Sequence, residues 1–279
     1  TTSARSWDAA GVDGPLRRSV LEPFLAGVLA EDDGSTSATF VRLLVRSFLA
    51  GTPGVPAAGM GAFPAQLAAG LPDVRLGVRV HAVARTGGGV RVSADDGAVT
   101  VRAVVVATDA VTAEGLVGVP APVMKGLVTH WYATRVRPTS LRAVMVDGRR
   151  RGPVVNAASM SLVARSYAPR GWHLVQATSL LPAGGSPAPE PVVRRHAGEI
   201  LGADPRPWQE VARHVIPGAL PAQPPPLDVR RGVDLGGGLL VCGDHRDTAS
   251  IQGALVSGRR AALTAAAHLG VRPGRARPA

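Results

Sequence analysis

The chain has 279 residues, above the usual length of one domain, and 46% are hydrophobic, so two intergrown units with sizeable cores are expected. The net charge is +11, yet Lys125 is the lone Lys among 31 basic residues and aromatics make up only 4%, which argues against a nucleic-acid partner. A single cysteine, Cys242, excludes an internal disulfide framework and a Cys-rich zinc site, and no apolar run reaches the ~18 residues of a membrane span.

Residues 1–50 read as helical. Val20, Leu21, Phe24, Leu25 and Val28 share helical spacing, and after Asp32-Asp33-Gly34 so do Phe40, Leu43, Leu44 and Phe48. Ser35 or Thr36 is placed to cap the second helix, and Gly51-Thr52-Pro53-Gly54 stops it. The segment Gly59-Met60-Gly61 then leads into a helix with Pro64 in its first turn.

A β region follows. Val74 to Val83, Val90 to Val92 and Val99 to Val106 are separated by Gly87-Gly88-Gly89 and Asp95-Asp96-Gly97, the pattern of a three-stranded meander. Val104-Val105-Val106 loses the alternation, which predicts burial on both faces as in a parallel sheet, and runs into Ala107-Thr108-Asp109. Val123–Val136, Leu141–Val146, Pro153–Val163, Trp172–Leu181 and Trp208–Ile216 read as strands, and Pro191–Leu201 as a helix. Trp131, Tyr132, Tyr167 and Trp172 are candidates to line an apolar pocket or to fill a core.

The most informative stretch is near the C-terminus. Leu239-Leu240-Val241-Cys242 ends in Gly243-Asp244, and a polar loop leads into a helix that opens with Gln252-Gly253-Ala254. A helix start offers unpaired N–H groups and the positive end of the dipole, which favour negative charge. Asp244 is placed to accept hydrogen bonds from a ligand's hydroxyls. Cys242, inside an apolar strand, reads as a buried small hydrophobe. His245 is the one histidine with a place in the motif; the seven histidines form no metal-ligating cluster, and no metal is expected.

These segments, in this order, resemble the flavin amine oxidase, protoporphyrinogen oxidase and phytoene desaturase superfamily. The resemblance rests on Gly243-Asp244 with Gln252-Gly253-Ala254, on Gly59-Met60-Gly61, on the meander ending in Ala107-Thr108, and on Asn156-Ala157-Ala158-Ser159 with Ala164 to Pro169. It implies a mixed α/β fold: an FAD/NAD(P)-binding-like domain with a β-meander, and an inserted substrate domain of sheet and helix. Residues 1–53 and 113–235 would form the substrate domain, residues 54–112 and 236–270 the FAD-binding part, and residues 271–279 a tail. It implies FAD as cofactor, with Val80 at the adenine, Ala107 near the pyrophosphate, and Gly243, Asp244, Gln252, Gly253 and Ala254 along the ribityl chain and ring. The implied activity is that of an FAD-dependent oxidoreductase, with hydride passing from a hydrophobic small molecule to flavin N5; no catalytic side chain is assigned.

One hallmark is missing from these residues. No strand followed by Gly-x-Gly-x-x-Gly and a helix occurs, so the first βαβ unit of the family fold lies outside them. Strand 239–242 is therefore expected at an exposed sheet edge. A non-catalytic remnant, an interaction module, or one half of a split flavoenzyme completed by a partner chain are the alternatives to a flavoenzyme. With no signal segment visible, the cytoplasm is the expected compartment, with weak peripheral attraction to anionic membranes as a second option.

Overall fold

The computed structural model describes residues 1–272. Its elements are α1 (Ser3–Ala9), a π-turn (Arg17–Leu21) leading into α2 (Glu22–Leu29), α3 (Ala38–Ala50), α4 (Ala62–Ala68), β1 (Val80–Thr86), β2 (Gly89–Ala94), β3 (Gly97–Val101), β4 (Val104–Val106), α5 (Ala110–Val117), β5 (Met124–Thr134), β6 (Val154–Ser159), α6 (Met160–Val163), β7 (His173–Leu181), α7 (Glu190–Leu201), β8 (Gln209–Pro221), β9 (Leu239–Val241) and α8 (Ile251–His268). The fold is mixed α/β. The remainder of the expected tail, 273–279, lies outside the described residues. Among the described residues no helix is long and apolar enough to cross a membrane.

The chain forms two compact units. The first comprises Thr1–Pro72, Lys125–Leu220 and Pro224–Pro226. Its sheet has the order β6-β7-β5-β8, with β7 antiparallel to both β5 and β6. Along β5, Val128, His130, Tyr132 and Thr134 alternate into the interior, the period of 2 that the pleat imposes. Tyr132 is fully buried there with Val175, Ala177 and Trp208, beneath Val193, Ala197 and Leu201 of α7. It is core and does not line a pocket. Helix α7 starts after Pro189 without a side-chain cap and stops at Gly202, whose φ of 65° suits glycine.

Three local expectations are corrected in this unit. Ser35 and Thr36 do not cap α3, whose N-cap is Ser37: the Ser35 hydroxyl donates to Glu31 (2.9 Å), and the Thr36 hydroxyl accepts from Lys125 (3.1 Å), which itself pairs with Glu31. Leu141–Val146 forms no strand. Only Met145 bridges β6, at Ala157, because Asp147 then folds the chain back by accepting from the Arg149 and Arg151 amides. The strand expected over Pro153–Val163 ends at Ser159, after which Met160–Val163 turns helical. Residues 54–72, with Gly59-Met60-Gly61, cluster in this unit; the Ser166 and Tyr167 hydroxyls donate to the carbonyls of Ala57 and Pro56.

The second unit comprises Asp73–Met124, Pro221–Gln223 and the described residues from Leu227 on. The meander β1-β2-β3 is antiparallel, turning at Gly87-Gly88 and Asp95-Asp96. Its expected third strand is two strands. The chain breaks after Val101, and β4 leaves the meander to pair in parallel with β9, Val104 to Val106 against Leu239 to Val241. The expected burial of this run on both faces is corrected: Val106 is buried, but Val104 is only partly so and Val105 is exposed, because β4 lies at the edge of its two-stranded sheet. Val74–Val78 precede β1 without joining it.

Strand β9 is covered on both faces, which is why its residues read as an unbroken apolar run. Leu239 and Val241 pack with Val90, Val106, Ala113 and Val119 on one side, and Leu240 and Cys242 pack with Val233 and Ala261 of α8 on the other. Burying three such side chains is worth roughly 5–8 kcal/mol before conformational entropy is subtracted. Cys242 is buried, and burial pushes its thiol above the usual range.

The expectation that β9 is an exposed edge is also corrected. Its second edge is taken by residues 233–235, through Val241 N–H to Val233 O (2.9 Å) and Leu235 N–H to Leu239 O (2.9 Å). The free edge belongs to β4. Val104 N–H bonds Gly238 O and Val106 O accepts from Cys242 N–H, so alternation turns the Val105 backbone groups the other way. Among the described residues no strand pairs there.

Candidate functional site

Because β4 and β9 run in parallel, their C-terminal ends finish side by side. In open α/β sheets ligands bind outside these ends. Here the two turns that follow are Ala107-Thr108-Asp109 and Gly243-Asp244-His245, and they touch: a Cβ built at Gly243 would lie 3.5 Å from the Thr108 carbonyl oxygen. Gly243 has φ 151° and no room for a side chain, since a Cβ would run into the His245 ring. Ser257, fully buried on α8, holds Gly243 in place: its hydroxyl accepts from Gly243 N–H (3.0 Å) and lies 2.7 Å from Gly243 O.

Each turn feeds a helix. Asp109 caps α5, with Oδ1 accepting from the Val111 and Thr112 amides at 3.0 Å and Oδ2 from the Thr112 hydroxyl at 2.6 Å. These bonds, chiefly those from Thr112, outweigh partial desolvation and hold the carboxyl below its usual range. Ser250 caps α8 by accepting from Gly253 N–H (3.0 Å). Gly253 is needed for close approach, because a Cβ would overlap the carbonyl of Thr248.

The Ile251 and Gln252 amides have no hydrogen-bond partner among the described residues, and Ile251, Gln252 and Ala254 are exposed. The positive end of α8 is thus open. Asp244 is half-buried. The one basic side chain within 4 Å of it among the described residues is the His245 ring, Nδ1 at 3.9 Å from Oδ1, too far for a hydrogen bond. Burial pushes the Asp244 carboxyl above its usual range, partly offset by the amides of His245 and Asp244. His245 is fully buried and neither ring nitrogen has a partner. Burial, then the Arg246 and Arg231 guanidiniums, push its pKa down against the attraction of Asp109.

Arginines pin the loop from behind. Arg260 donates to Asp247 (3.0 Å) and to the Arg231 carbonyl, Arg231 donates to the His245 carbonyl (3.2 Å), and Arg246 bonds the Gly232 carbonyl. Asp109, Ser250, Ser257 and Arg260 were not singled out by the sequence. Asp109 had a signal, a Thr-Asp-Ala step between a strand and a helix. Ser257 and Arg260 had none, since their role depends on which turn α8 packs against.

The structure therefore brings Gly243, Asp244, Gly253 and Ala107 to the ends of two paired strands and the α8 start. Gln252 and Ala254 lie on the open part of that helix start. Val80 is partly exposed and opens β1, in a different sheet.

The family model of flavin-containing amine oxidoreductases matches residues 8–265. The chain belongs to that family. No curated protein matches it. Among solved structures, an oxidoreductase from Methanosarcina mazei is similar at 14% identity and TM-score 0.68, over 93% of this chain and 67% of that one. A candidate protoporphyrinogen oxidase from Exiguobacterium sp. 255-15 is similar at 16% identity and TM-score 0.62, over 77% of this chain and 52% of that one. A redesigned putrescine oxidase is similar at 15% identity and TM-score 0.60, over 92% and 65%. At such identities the likeness is one of fold, and this chain spans about half to two thirds of the length of each.

The residues present fit the ribityl and ring portion of a flavin. What lacks a partner here is what such a ligand would supply or use: a desolvated carboxylate without a close hydrogen-bond donor from a side chain, and helix amides without an acceptor.

Proposed function

We propose that this chain is the later part of an FAD-dependent oxidoreductase that oxidises a hydrophobic small molecule. The observation that carries the reading is the pairing of the Asp244 carboxylate with the open N-terminus of α8 at the ends of β4 and β9. When bound, a flavin would supply the redox chemistry, as acceptor of a hydride from the substrate and donor of electrons to oxygen or another acceptor. The protein's part is to hold and tune. Asp244 would accept from ribityl hydroxyls. The Ile251 and Gln252 amides and the α8 dipole would favour the negative charge that collects at N1 and O2 on reduction. Ala254 and Gly253 keep that helix start free of bulk.

A hydrophobic substrate is supported by the first unit. A cavity of about 780 Å³ there is lined by Trp7, Leu21, Phe24, Val45, Phe48 and Leu49, with Phe24 and Phe48 edge to face at 5.4 Å. The free edge of β4 supports a further element of the same reading: a nucleotide-binding βαβ unit outside these residues, in the same polypeptide or a partner, adds its strand beside Val105. The test is flavin occupancy. The protein, saturated with FAD and freed of excess, should keep the visible flavin bands, and Asp244→Ala should lose them. Two to three charge-assisted hydrogen bonds at about 1.5 kcal/mol each correspond to a loss of ~100-fold or more in affinity.

A further inference from the structure

Between Glu114 and Glu190 the chain carries nine basic residues and a single acid, Asp147. That acid is already engaged: Asp147 bonds His196 at 3.0 Å and the Arg149 and Arg151 amides. The excess positive charge of this stretch is not spread evenly. Arg137, Arg142, Arg165 and Arg170, with His173, line one cavity of about 550 Å³ in the first unit, closed by Ser161, Leu162, Pro169 and Trp172. Arg135, outside the lining itself, stacks over the ring of the lining residue Trp172 at 4.6 Å.

No carboxylate lines this cavity, and among the described residues none of the five arginines makes an ion pair. Eight arginines elsewhere, Arg17, Arg18, Arg75, Arg150, Arg194, Arg206, Arg231 and Arg260, are paired with acids, whereas others, Arg195 and Arg259 among them, are not; what sets the cavity apart is that four arginines line it together. Guanidiniums grouped around one cavity repel one another, and the repulsion is relieved by an anion that several of them share. Their planar forks match the oxygens of phosphate and carboxylate groups two at a time. Leu162, Pro169 and Trp172 offer an apolar wall for the body of such a ligand.

We propose that this cavity is a binding site for a small soluble molecule bearing several phosphate or carboxylate groups. The site lies within the first unit and needs nothing from the turns around Asp244, so it stands whether or not the flavin reading holds.

Titration calorimetry of the full chain with tripolyphosphate, and separately with citrate, tests it. Two variants of equal net charge are compared: Arg165→Glu/Arg170→Glu inside the cavity, and Arg195→Glu/Arg259→Glu on exposed positions outside it. Circular dichroism confirms that both fold, and the milder Arg165→Gln/Arg170→Gln replaces the first if it does not. Saturable binding of at least one anion, weakened at least tenfold by the cavity pair and less than threefold by the outer pair, is the expected result. Equal weakening by both pairs would reduce the effect to overall charge and overturn the proposal. So would no binding of either anion, or binding confined to phosphatidylserine vesicles, which would make the patch a membrane contact.

Discussion

Two glycines on α8, five residues apart, should respond with opposite sign to the same substitution. Taken alone, Gly→Ala in a helix interior stabilises by about 1 kcal/mol, because the unfolded chain loses freedom and the helix gains a better former. At Gly258 nothing lies within 4 Å of an added Cβ, so Gly258→Ala should keep that gain. At Gly253 the added Cβ would overlap the Thr248 carbonyl oxygen and lie 2.8 Å from its carbon and 2.9 Å from the Thr248 nitrogen. These are backbone atoms, which cannot rotate aside as a side chain would. Overpacking costs about 1–3 kcal/mol, and overlap with backbone atoms puts this site in the upper part of that range, about 2–3 kcal/mol, so Gly253→Ala should be destabilising by about 1–2 kcal/mol net. The loop from Thr248 to Ser250 must move, and the Ser250 cap on Gly253 N–H is the bond most exposed to that movement. Urea unfolding followed by circular dichroism, read as the shift in midpoint at constant slope, measures both. If Gly253→Ala matched Gly258→Ala in sign, the close approach of loop and helix start would be refuted.

Other substitutions separate stability from binding. Asp244→Asn should weaken flavin retention yet stabilise the ligand-free protein at neutral pH. Burial raises the Asp244 pKa in the folded state, so its contribution is fully present below the unfolded value of about 3.9 and is lost as pH rises through the raised one; a variant that is never charged escapes that loss. His245→Phe should flatten the acid limb of stability. A histidine pushed down contributes stability above its unfolded pKa of about 6.5 that is lost as pH falls, and the ring faces Arg246, Arg231, Asp109 and Asp244. Stability against pH, for both variants beside the parent, checks these two. Lys125→Met should destabilise by about 3 kcal/mol, leaving the buried Glu31 without its cation, and adding Glu31→Gln should restore part of that in a double-mutant cycle.

Much of this fold was legible because side-chain pattern and structure share a cause. The alternation of β5 marks one face on a core, and the apolar run of β9 marks burial on two faces. The Val104–Val106 run read as the doubly buried end of a meander strand, whereas it is a separate edge strand with Val105 exposed, because nothing local shows where the chain leaves one sheet for another. What could not be read depended on contacts distant in sequence. Whether Ser35 and Thr36 cap a helix or serve Glu31 turns on Lys125 arriving from β5. Which strand keeps a free edge turns on residues 233–235 returning alongside β9. At the site, Gly243, Asp244 and Gly253 were visible as a motif, whereas Ser257 and Arg260 acquire their roles only when α8 folds back on the Gly243 turn.

The central claim is that the turn after β9 and the start of α8 grip a flavin through Asp244. Its most direct test is the ratio of visible flavin absorbance to protein absorbance for the parent and Asp244→Ala, each saturated with FAD and then desalted. The account predicts near-stoichiometric flavin in the parent and at least a tenfold drop in the variant. Equal flavin in the two proteins, or none in the parent, would contradict it.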